Sequence, residues 1–184
     1  MAVLRVGHIL PNARIYGPGT RYTIWLQGCS LGCKGCWNKQ FWPEDSGKKI
    51  GVDEIITEIK LLDVEGITLL GGEPLQQPEA VMELINETKK IGKTVFLYTG
   101  YTKNEMSDLM KECAENSDIL IAGRYVEKLR DLHLRWRGSS NQIIEFPTGV
   151  YGELDLADVR ELEVHISGGN IHLYGYPDGE EEIL

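Results

Sequence analysis

Three of the four cysteines lie close together, in the segment Cys29-Ser-Leu-Gly-Cys33-Lys-Gly-Cys36. Three thiolates on so short a loop are suited to binding an iron-sulfur cluster. A cuboidal cluster contains four irons, so three protein ligands leave one iron free to bind a group that is not protein. The spacing therefore predicts a cluster that takes part in a reaction at its open iron, with Cys29, Cys33 and Cys36 as its ligands.

Zinc and a disulfide are the alternative uses of these cysteines. A structural zinc site has four ligands, whereas Cys113 is distant in the chain and no histidine lies between Cys36 and His133. A disulfide needs an oxidising compartment, and residues 1–10 contain neither the long apolar run nor the cleavage site of a secretory signal. We therefore expect a reducing, cytoplasmic environment and favour iron over zinc.

Composition limits the class of protein. A chain of 184 residues with 42% hydrophobic residues is long enough for one domain with a substantial core. No stretch approaches the ~18 apolar residues of a membrane span, so we expect a soluble protein with no membrane partner. The 19 basic and 28 acidic residues give a net charge of -9, which repels a phosphate backbone. Direct binding to nucleic acid is therefore not expected.

Segments typical of strands and helices alternate along the chain. Four short apolar runs predict strands: Tyr22–Gln27, Gly66–Leu70, Thr94–Tyr98 and Ile119–Ala122. Hydrophobic residues at helical spacing predict three helices: Val52–Leu62, Pro78 to Thr88, and a third that begins with a capping box at Thr102 and Glu105 and ends near Cys113. This alternation predicts parallel strands joined by right-handed crossovers, and therefore an α/β fold.

The carboxyl ends of parallel strands are where ligands bind in such folds. Three segments lie there: the cysteine loop after the first predicted strand, Gly71-Gly72-Glu73-Pro74 after the second, and Thr99-Gly100 after the third. We expect these segments to meet at one site. Two glycines let the backbone approach a ligand closely, and the Glu73 carboxylate is suited to binding a cationic group such as an ammonium.

The pairing of Cys29-x3-Cys33-x2-Cys36 with Gly71-Gly72-Glu73-Pro74 resembles the radical S-adenosylmethionine superfamily. The resemblance implies two cofactors, one 4Fe-4S cluster and S-adenosylmethionine, whose amino and carboxylate groups bind the open iron. It also implies site roles: Gly71, Gly72 and Glu73 near that amino group, Thr99 at the ribose or carboxylate, and Trp37 at the adenine. In this superfamily one electron cleaves the sulfonium, and a 5'-deoxyadenosyl radical then removes a hydrogen atom from the substrate. A hydrogen atom carries proton and electron together, so no catalytic acid or base is expected.

Further segments resemble the activating proteins of anaerobic ribonucleoside-triphosphate reductases, over residues 1–146. They are Gly17-Pro18-Gly19-Thr20-Arg21, Cys36-Trp37-Asn38, Tyr98-Thr99-Gly100-Tyr101 and the segment from Trp136 to Gln142. The resemblance implies a glycyl-radical activase, which removes a Cα hydrogen from one glycine of a partner reductase and receives its electron from a flavodoxin or ferredoxin. It also implies a partial, open barrel of parallel strands, whose lateral opening admits a peptide loop.

We place the core domain at residues 1–150 and treat residues 151–184 as a helix and hairpin extension of the same domain. In this extension Leu162–Ile166, Ser167-Gly168-Gly169-Asn170 and Ile171–Tyr174 predict a β-hairpin. Such a hairpin has two uses, binding a partner or pairing with an edge of the sheet, and we expect the second.

Two alternative functions stay open at this point. One is a radical S-adenosylmethionine enzyme that acts on another peptide or on a small molecule. It is suggested by the added hairpin and by Tyr16, which stands where related activases often have Asp or Asn. The other is non-enzymatic: an interaction module in which the three cysteines hold zinc or a degenerate cluster.

Overall fold

The computed structural model describes residues 1–152, 154, 162–167 and 169–175. Within these residues the strands are β1 (Val3–Ala13), β2 (Arg21–Leu26), β3 (Lys48–Gly51), β4 (Gly66–Gly71), β5 (Thr94–Thr99), β6 (Ile119–Ala122), β7 (Ile143–Glu145), β8 (Leu162–Ser167) and β9 (Asn170–Gly175). The α-helices are α1 (Val52–Lys60), α2 (Pro78–Lys90) and α3 (Asp108–Glu115). The predicted helix of the extension falls on residues outside this description. None of the described helices is both long and apolar enough to cross a membrane.

Seven strands form one mixed sheet in the order β3-β1-β2-β4-β5-β6-β7. Its four central strands, β2, β4, β5 and β6, are parallel, which confirms the predicted α/β architecture. The strands β1 and β3 are added antiparallel on one side, and β7 is added antiparallel on the other. In the described part of the chain β3 and β7 are free edges, so the sheet is open and no pairing closes it into a barrel.

The sequence did not predict β1, β3 or β7. In β1 the pairing register with β2 shifts between Val6 and His8 and again between Leu10 and Ala13, so the two-residue alternation typical of a strand is broken. The strands β3 and β7 have only four and three residues, too few for a periodic pattern. The expectation of parallel strands alone was therefore wrong at both sides of the sheet, where antiparallel strands are added.

The predicted capping box is present, but it does not begin a long helix. The side chains of Thr102 and Glu105 cap a single 3-10 turn, and Met106 then takes an extended conformation with ψ of 134°. The helix α3 begins at Asp108 after its own N-cap, Ser107, whose side chain accepts a hydrogen bond from the helix backbone. The prediction of one continuous helix was wrong at its start, because the chain needs two separate caps to change direction here.

The two faces of the sheet have different partners. One face packs against the helices in a single hydrophobic cluster that includes Leu69 and Leu97 from the strands and Ile59 and Leu84 from the helices. Alternate strand residues point to the other face. This other face has two further clusters without any residue of α1, α2 or α3, and their largest members are Tyr16, Trp25, Leu70, Phe96, Ile121, Trp136 and Tyr174. Among the described residues this face, called the helix-free face below, is therefore aromatic, and it is available for a site.

The predicted hairpin is confirmed, since β8 and β9 pair antiparallel. It forms a separate two-stranded sheet, so the expectation that it pairs with a sheet edge was wrong. It lies on the helix-free face instead, where the Tyr174 hydroxyl is 3.0 Å from His8 Nε2 and the Tyr174 ring centroid is 6.1 Å from that of Trp25. The contact is made by side-chain rings rather than by backbone pairing.

A buried arginine fixes the opposite, amino-terminal ends of the central strands. The fully buried Arg21 donates hydrogen bonds to Thr68 Oγ1 at 3.2 Å, Thr94 Oγ1 at 2.8 Å and Tyr151 OH at 3.3 Å. Thr68 in turn donates to Tyr16 O at 2.7 Å. Arg21 therefore ties β2, β4 and β5 to one another and to the turn that precedes β2.

Replacing this arginine should destabilise the fold. Arg21→Ala leaves several buried acceptors without a donor, and we expect the free energy of unfolding to fall by about 3 kcal/mol. Arg14→Ala, at an exposed position in the turn before β2, is the control. It should change the free energy of unfolding by less than about 0.5 kcal/mol. Urea unfolding measures both variants, and equal effects would contradict the structural role of Arg21.

Candidate functional site

The cysteine loop follows β2 and is fixed near its start by backbone hydrogen bonds. The Gly28 N–H donates to Phe41 O at 2.8 Å, and the Cys29 N–H donates to Trp42 O at 3.0 Å. Cys29, Cys33 and Cys36 are partly buried and line one cavity. The loop therefore presents all three thiols to the same space.

The three thiols border this cavity without being gathered around one point. In the described residues no group of three His, Cys, Asp or Glu side chains is close enough to hold a single metal ion. A structural zinc site needs four ligands around one ion. In an iron-sulfur cluster each cysteine binds a different iron, so the ligands stand farther apart. The cavity offers three cysteines, which is the ligand number of a cluster with one open iron and one cysteine fewer than a Cys₄ zinc site has.

The fourth cysteine is remote from the site, as the sequence suggests. Cys113 is fully buried, and its thiol lies 3.5 Å from Pro78 O at the start of α2. Burial raises the pKa of this thiol to about 12. Cys113 is therefore a small hydrophobic residue of the core and not a ligand.

Burial also raises the pKa of the Cys29 and Cys33 thiols. The Glu73 carboxylate adds to the rise at Cys29, and the Cys36 thiol adds to it at Cys33, where the Arg124 guanidinium opposes it. Thiolates in this loop therefore require nearby positive charge, and the irons of a cluster supply such charge.

Gly71 and Gly72 pack their backbone against the end of β2 and the start of the cysteine loop. The Gly72 N–H donates to Leu26 O at 2.8 Å, and a Cβ on Gly72 would lie 2.4 Å from Gly28 O. Gly71 has a φ of 105°, which favours glycine, and its Cβ would lie 2.7 Å from Trp25 Cα. The missing side chains bring this turn into direct contact with the cysteine loop.

The Glu73 side chain is buried, and both of its oxygens accept hydrogen bonds. Oε1 accepts from Leu75 N–H at 2.9 Å and from the Thr99 hydroxyl at 2.8 Å, and Oε2 accepts from Gly100 N–H at 2.7 Å. Burial raises the pKa of Glu73 to about 7, although these hydrogen bonds and the Arg124 guanidinium oppose the rise. A cation that entered the cavity would stabilise the ionised carboxylate.

The cavity has further walls that were not among the candidate residues. They include Leu31, Asn38, Trp42, Leu70, Tyr98, Tyr125, Trp136 and Gln142. Tyr98, Trp136 and Gln142 belong to segments on which the family resemblance rests, so a signal for them was present in the sequence. Gln142 braces this wall, because its Oε1 accepts from Gly138 N–H at 2.8 Å and its Nε2 donates to Gly123 O at 3.0 Å.

Trp37 lies at the rim of the cavity. Its side chain is 37% exposed, and the Arg130 guanidinium carbon lies 5.1 Å from its ring centroid. The Tyr125 ring is 6.4 Å away on the same wall. Trp37 therefore presents a flat apolar surface beside the cysteine loop, and its contact with adenine stays a prediction.

Comparison with known proteins agrees with this site. A family profile described as "4Fe-4S single cluster domain" matches residues 15–145. The anaerobic ribonucleoside-triphosphate reductase-activating protein of Escherichia coli K12 is 35% identical over 140 residues, which cover 71% of this chain and 90% of that protein. The chain belongs to the family of these activating proteins. Its relative in Salmonella typhimurium is 34% identical over 151 residues (77% and 97% coverage), and that in Enterobacteria phage T4 is 33% identical over 141 residues (73% and 88%).

Membership of the activating-protein family confirms the predicted enzyme class, a radical S-adenosylmethionine enzyme. It also confirms the predicted cofactors, a 4Fe-4S cluster and S-adenosylmethionine. Among solved structures, QueE from Escherichia coli matches with a TM-score of 0.53 at 17% identity, over 68% of this chain and 61% of QueE. At this identity the likeness concerns the fold alone, and it supports the α/β architecture.

The cysteine loop predicts which thiols are essential to this activating protein. Cys29→Ala, Cys33→Ala or Cys36→Ala should each abolish reductive cleavage of S-adenosylmethionine, because a cluster with two protein ligands is not held. Cys113→Ala is the matched control and should retain cleavage. The measurements are iron and sulfide content after anaerobic reconstitution, and 5'-deoxyadenosine released under reduction. If Cys113→Ala lost the activity as fully as the others, the assignment of three ligands would be wrong.

The buried Glu73 predicts a pH dependence of the stability of the cluster-free protein. The pKa of this carboxyl is about 7 in the folded state against 4.5 for an ordinary glutamate. As the pH rises between these values the unfolded chain releases its proton first, so the folded protein loses stability, and the loss is complete above about pH 7. We expect this loss to lower the free energy of unfolding of the wild-type protein by about 2–4 kcal/mol. This part of the pH dependence should vanish in Glu73→Gln, as measured by urea unfolding between about pH 5 and pH 8. Parallel curves for the two proteins would refute it.

Proposed function

We propose that this protein is a glycyl-radical activase that removes a Cα hydrogen from one glycine of an anaerobic ribonucleotide reductase. One observation carries the proposal. The cysteine loop, the Gly71-Gly72-Glu73 turn and Thr99 line one open cavity at the carboxyl ends of three parallel strands. The activating-protein relatives, which are named for such a reductase, support the choice of partner.

In this proposal Cys29, Cys33 and Cys36 bind three irons of the cluster, and Glu73 binds the amino group of S-adenosylmethionine. An ammonium beside Glu73 lowers the pKa of this carboxyl, which burial otherwise holds near 7. Thr99 donates its hydroxyl hydrogen to Glu73. We therefore assign Thr99 to orienting that carboxylate rather than to contacting the ribose. When bound, the two cofactors supply the one-electron chemistry that removes a hydrogen atom from the substrate.

The remaining candidate residues shape the cofactor cavity. Gly71 and Gly72 let the turn before Glu73 lie against the cysteine loop, which sets the amino-group site next to the cluster ligands. Trp37 offers its ring to the adenine, since an exposed indole face favours stacking on a flat ring system. No side chain acts as a general acid or base in this scheme.

A glycine is a suitable target for such a site. It has no side chain, so its Cα can approach a reactive centre inside a cavity more closely than that of any other residue. The partner presents this glycine as part of a peptide, so the site needs an open side. The helix-free face of the sheet provides such a side.

The finer description of the fold belongs to the same proposal. We propose that residues 1–150 form a partial, open (β/α) barrel, with the extension as part of the same domain. The four parallel central strands and the packing of α1, α2 and α3 against one face of the sheet support this interpretation. We also propose a flavodoxin or ferredoxin as the electron donor, and a cytoplasmic location, because free cysteines that bind a cluster need a reducing compartment.

The proposed function is tested with the anaerobic reductase of the same organism. After anaerobic reconstitution and reduction with dithionite, the protein should convert S-adenosylmethionine to 5'-deoxyadenosine and produce a glycyl-radical doublet on the reductase by electron paramagnetic resonance. Cys33→Ala is the control and should give neither product. Release of 5'-deoxyadenosine without the doublet would refute this reductase as the substrate and favour a different target.

A further inference from the structure

A second cavity, of about 390 Å³, lies beside the cofactor cavity on the helix-free face of the sheet. Its volume falls within the ~300–1,000 Å³ typical of ligand sites. Trp37, Asn38 and Leu70 line both cavities. An occupant of the second cavity therefore reaches the border of the cofactor site. Among the residues that line the second cavity, only Trp37, at the shared rim, has a proposed contact with a cofactor.

Three parts of the chain enclose the second cavity. The strands β1 and β2 contribute His8 and Trp25, the segment after the cysteines contributes Gln40 and Phe41, and the hairpin strand β9 contributes its inner face. The hairpin is held there by Tyr174, whose hydroxyl lies 3.0 Å from His8 Nε2 and whose ring stacks on the His8 ring at 5.9 Å. The hairpin is therefore a wall of this cavity.

This wall lies outside the part of the chain that matches the family. The family profile ends at residue 145, before the hairpin begins at Leu162. The match with the Salmonella typhimurium relative takes in 97% of that protein but only 77% of this chain. The enclosure of the second cavity by a hairpin is therefore a feature of this protein that the family match does not explain.

The chemistry of the second cavity indicates what it binds. None of the twelve described residues that line it is an aspartate, glutamate, lysine or arginine, although 26% of the chain is charged. A phosphate or carboxylate on a small molecule needs such a cation for tight binding, so this lining does not suit one. Burial lowers the pKa of His8, which favours its neutral form. The lining therefore suits an uncharged occupant.

The lining also has the groups that an extended peptide requires. The rings of Tyr16 and Trp25 give an apolar aromatic surface, and they pack edge to face at 5.0 Å. The amides of Asn38 and Gln40 can donate to and accept from peptide N–H and C=O groups, which must be paired when they leave water. Aromatic surface with neutral hydrogen-bonding groups is what an uncharged peptide backbone needs.

We propose that the second cavity binds the extended, uncharged peptide segment that carries the target glycine, and that the C-terminal hairpin is its outer wall. This inference rests on the proposed function, because it states where the peptide of the partner lies. A peptide that runs across Trp25 toward Trp37 and Asn38 places its glycine at the border that the two cavities share. The hairpin then determines which peptides are accepted.

Strand β9 offers a matched pair of positions for a test. His172 lines the cavity, whereas its neighbour Ile171 points to the opposite face of the hairpin and is 64% exposed. His172→Trp fills the cavity with a large side chain. Ile171→Trp adds the same side chain to the same strand, outside the cavity. Tryptophan is favoured in strands, so the substitution is compatible with the hairpin in both cases.

The experiment compares these two variants with wild type, all carrying the reconstituted cluster. We expect His172→Trp to lower kcat/KM for the reductase in glycyl-radical formation at least about tenfold, because the tryptophan side chain occupies the space that the peptide needs. Cleavage of S-adenosylmethionine by dithionite without the reductase should stay within about twofold of wild type. Ile171→Trp should match wild type in both reactions. Circular dichroism of the three proteins checks their folding.

The outcomes separate this inference from the proposed function. Equal glycyl-radical formation by all three folded proteins would overturn the inference, and so would a parallel loss of S-adenosylmethionine cleavage in His172→Trp, which would assign the cavity to the cofactor. If His172→Trp failed to fold, His172→Ala would take its place. It should raise the KM for the reductase about threefold without changing cleavage, and an unchanged KM would overturn the inference. Absence of a glycyl radical with wild type itself refutes the proposed function.

Discussion

The site depends on a carboxylate that is taken out of water without a full counter-charge. Only 1% of the Glu73 surface is exposed to solvent. Its carboxylate accepts three hydrogen bonds, from its own turn and from the end of β5. These donors orient the carboxylate but do not neutralise it, and its pKa stays near 7. Burying a charge is unfavourable unless a cation or enough donors accompany it. A buried carboxylate held in this way favours a cationic partner over a neutral or anionic one.

The position of this carboxylate follows from strand register. In β2 and β4 the last paired residues are Leu26 and Gly71, so both strands reach the same edge of the sheet before their loops begin. A shift of one residue would send Leu70 to the helix-covered face and carry Glu73 away from the cysteine loop. The close backbone packing of Gly72 on Gly28 adds a second constraint, because any side chain there would separate the two loops. Pairing and packing together place the carboxylate and the thiols around one cavity.

The sequence predicted these central features because each has a local signal. The strands β2, β4, β5 and β6 are mostly apolar, and Cys29 and Glu73 follow within three residues of the ends of β2 and β4. The features that were not predicted depend on residues distant in the chain. Gln142 acquires its role only when its segment folds over Gly123, and β1 pairs despite two register shifts. The second cavity could not be predicted at all, because it is enclosed by residues from both ends of the chain, His8 and Tyr174.

The hairpin has an unusual distribution of side chains. Its exposed face carries aliphatic residues, with exposed fractions from 37% to 74%: Leu162, Val164, Ile166, Ile171 and Leu173. Its inner face carries Glu163, His165, His172 and Tyr174. The hairpin is therefore attached through rings and through hydrogen bonds of Tyr174 with His8 and of Glu163 with the Arg14 backbone, rather than through a large aliphatic contact.

An isolated two-stranded hairpin is only marginally stable in water. The stability of this hairpin therefore depends on its contacts with the rest of the protein, which include those of Tyr174 with His8 and Trp25 and that of Glu163 with the Arg14 backbone. A ligand that contacts both walls of the second cavity binds the attached form and not the detached form. By mass action such a ligand stabilises the attachment, and attachment of the hairpin in turn strengthens binding of the ligand. Closure of the cavity and binding of its occupant are thus two parts of one equilibrium.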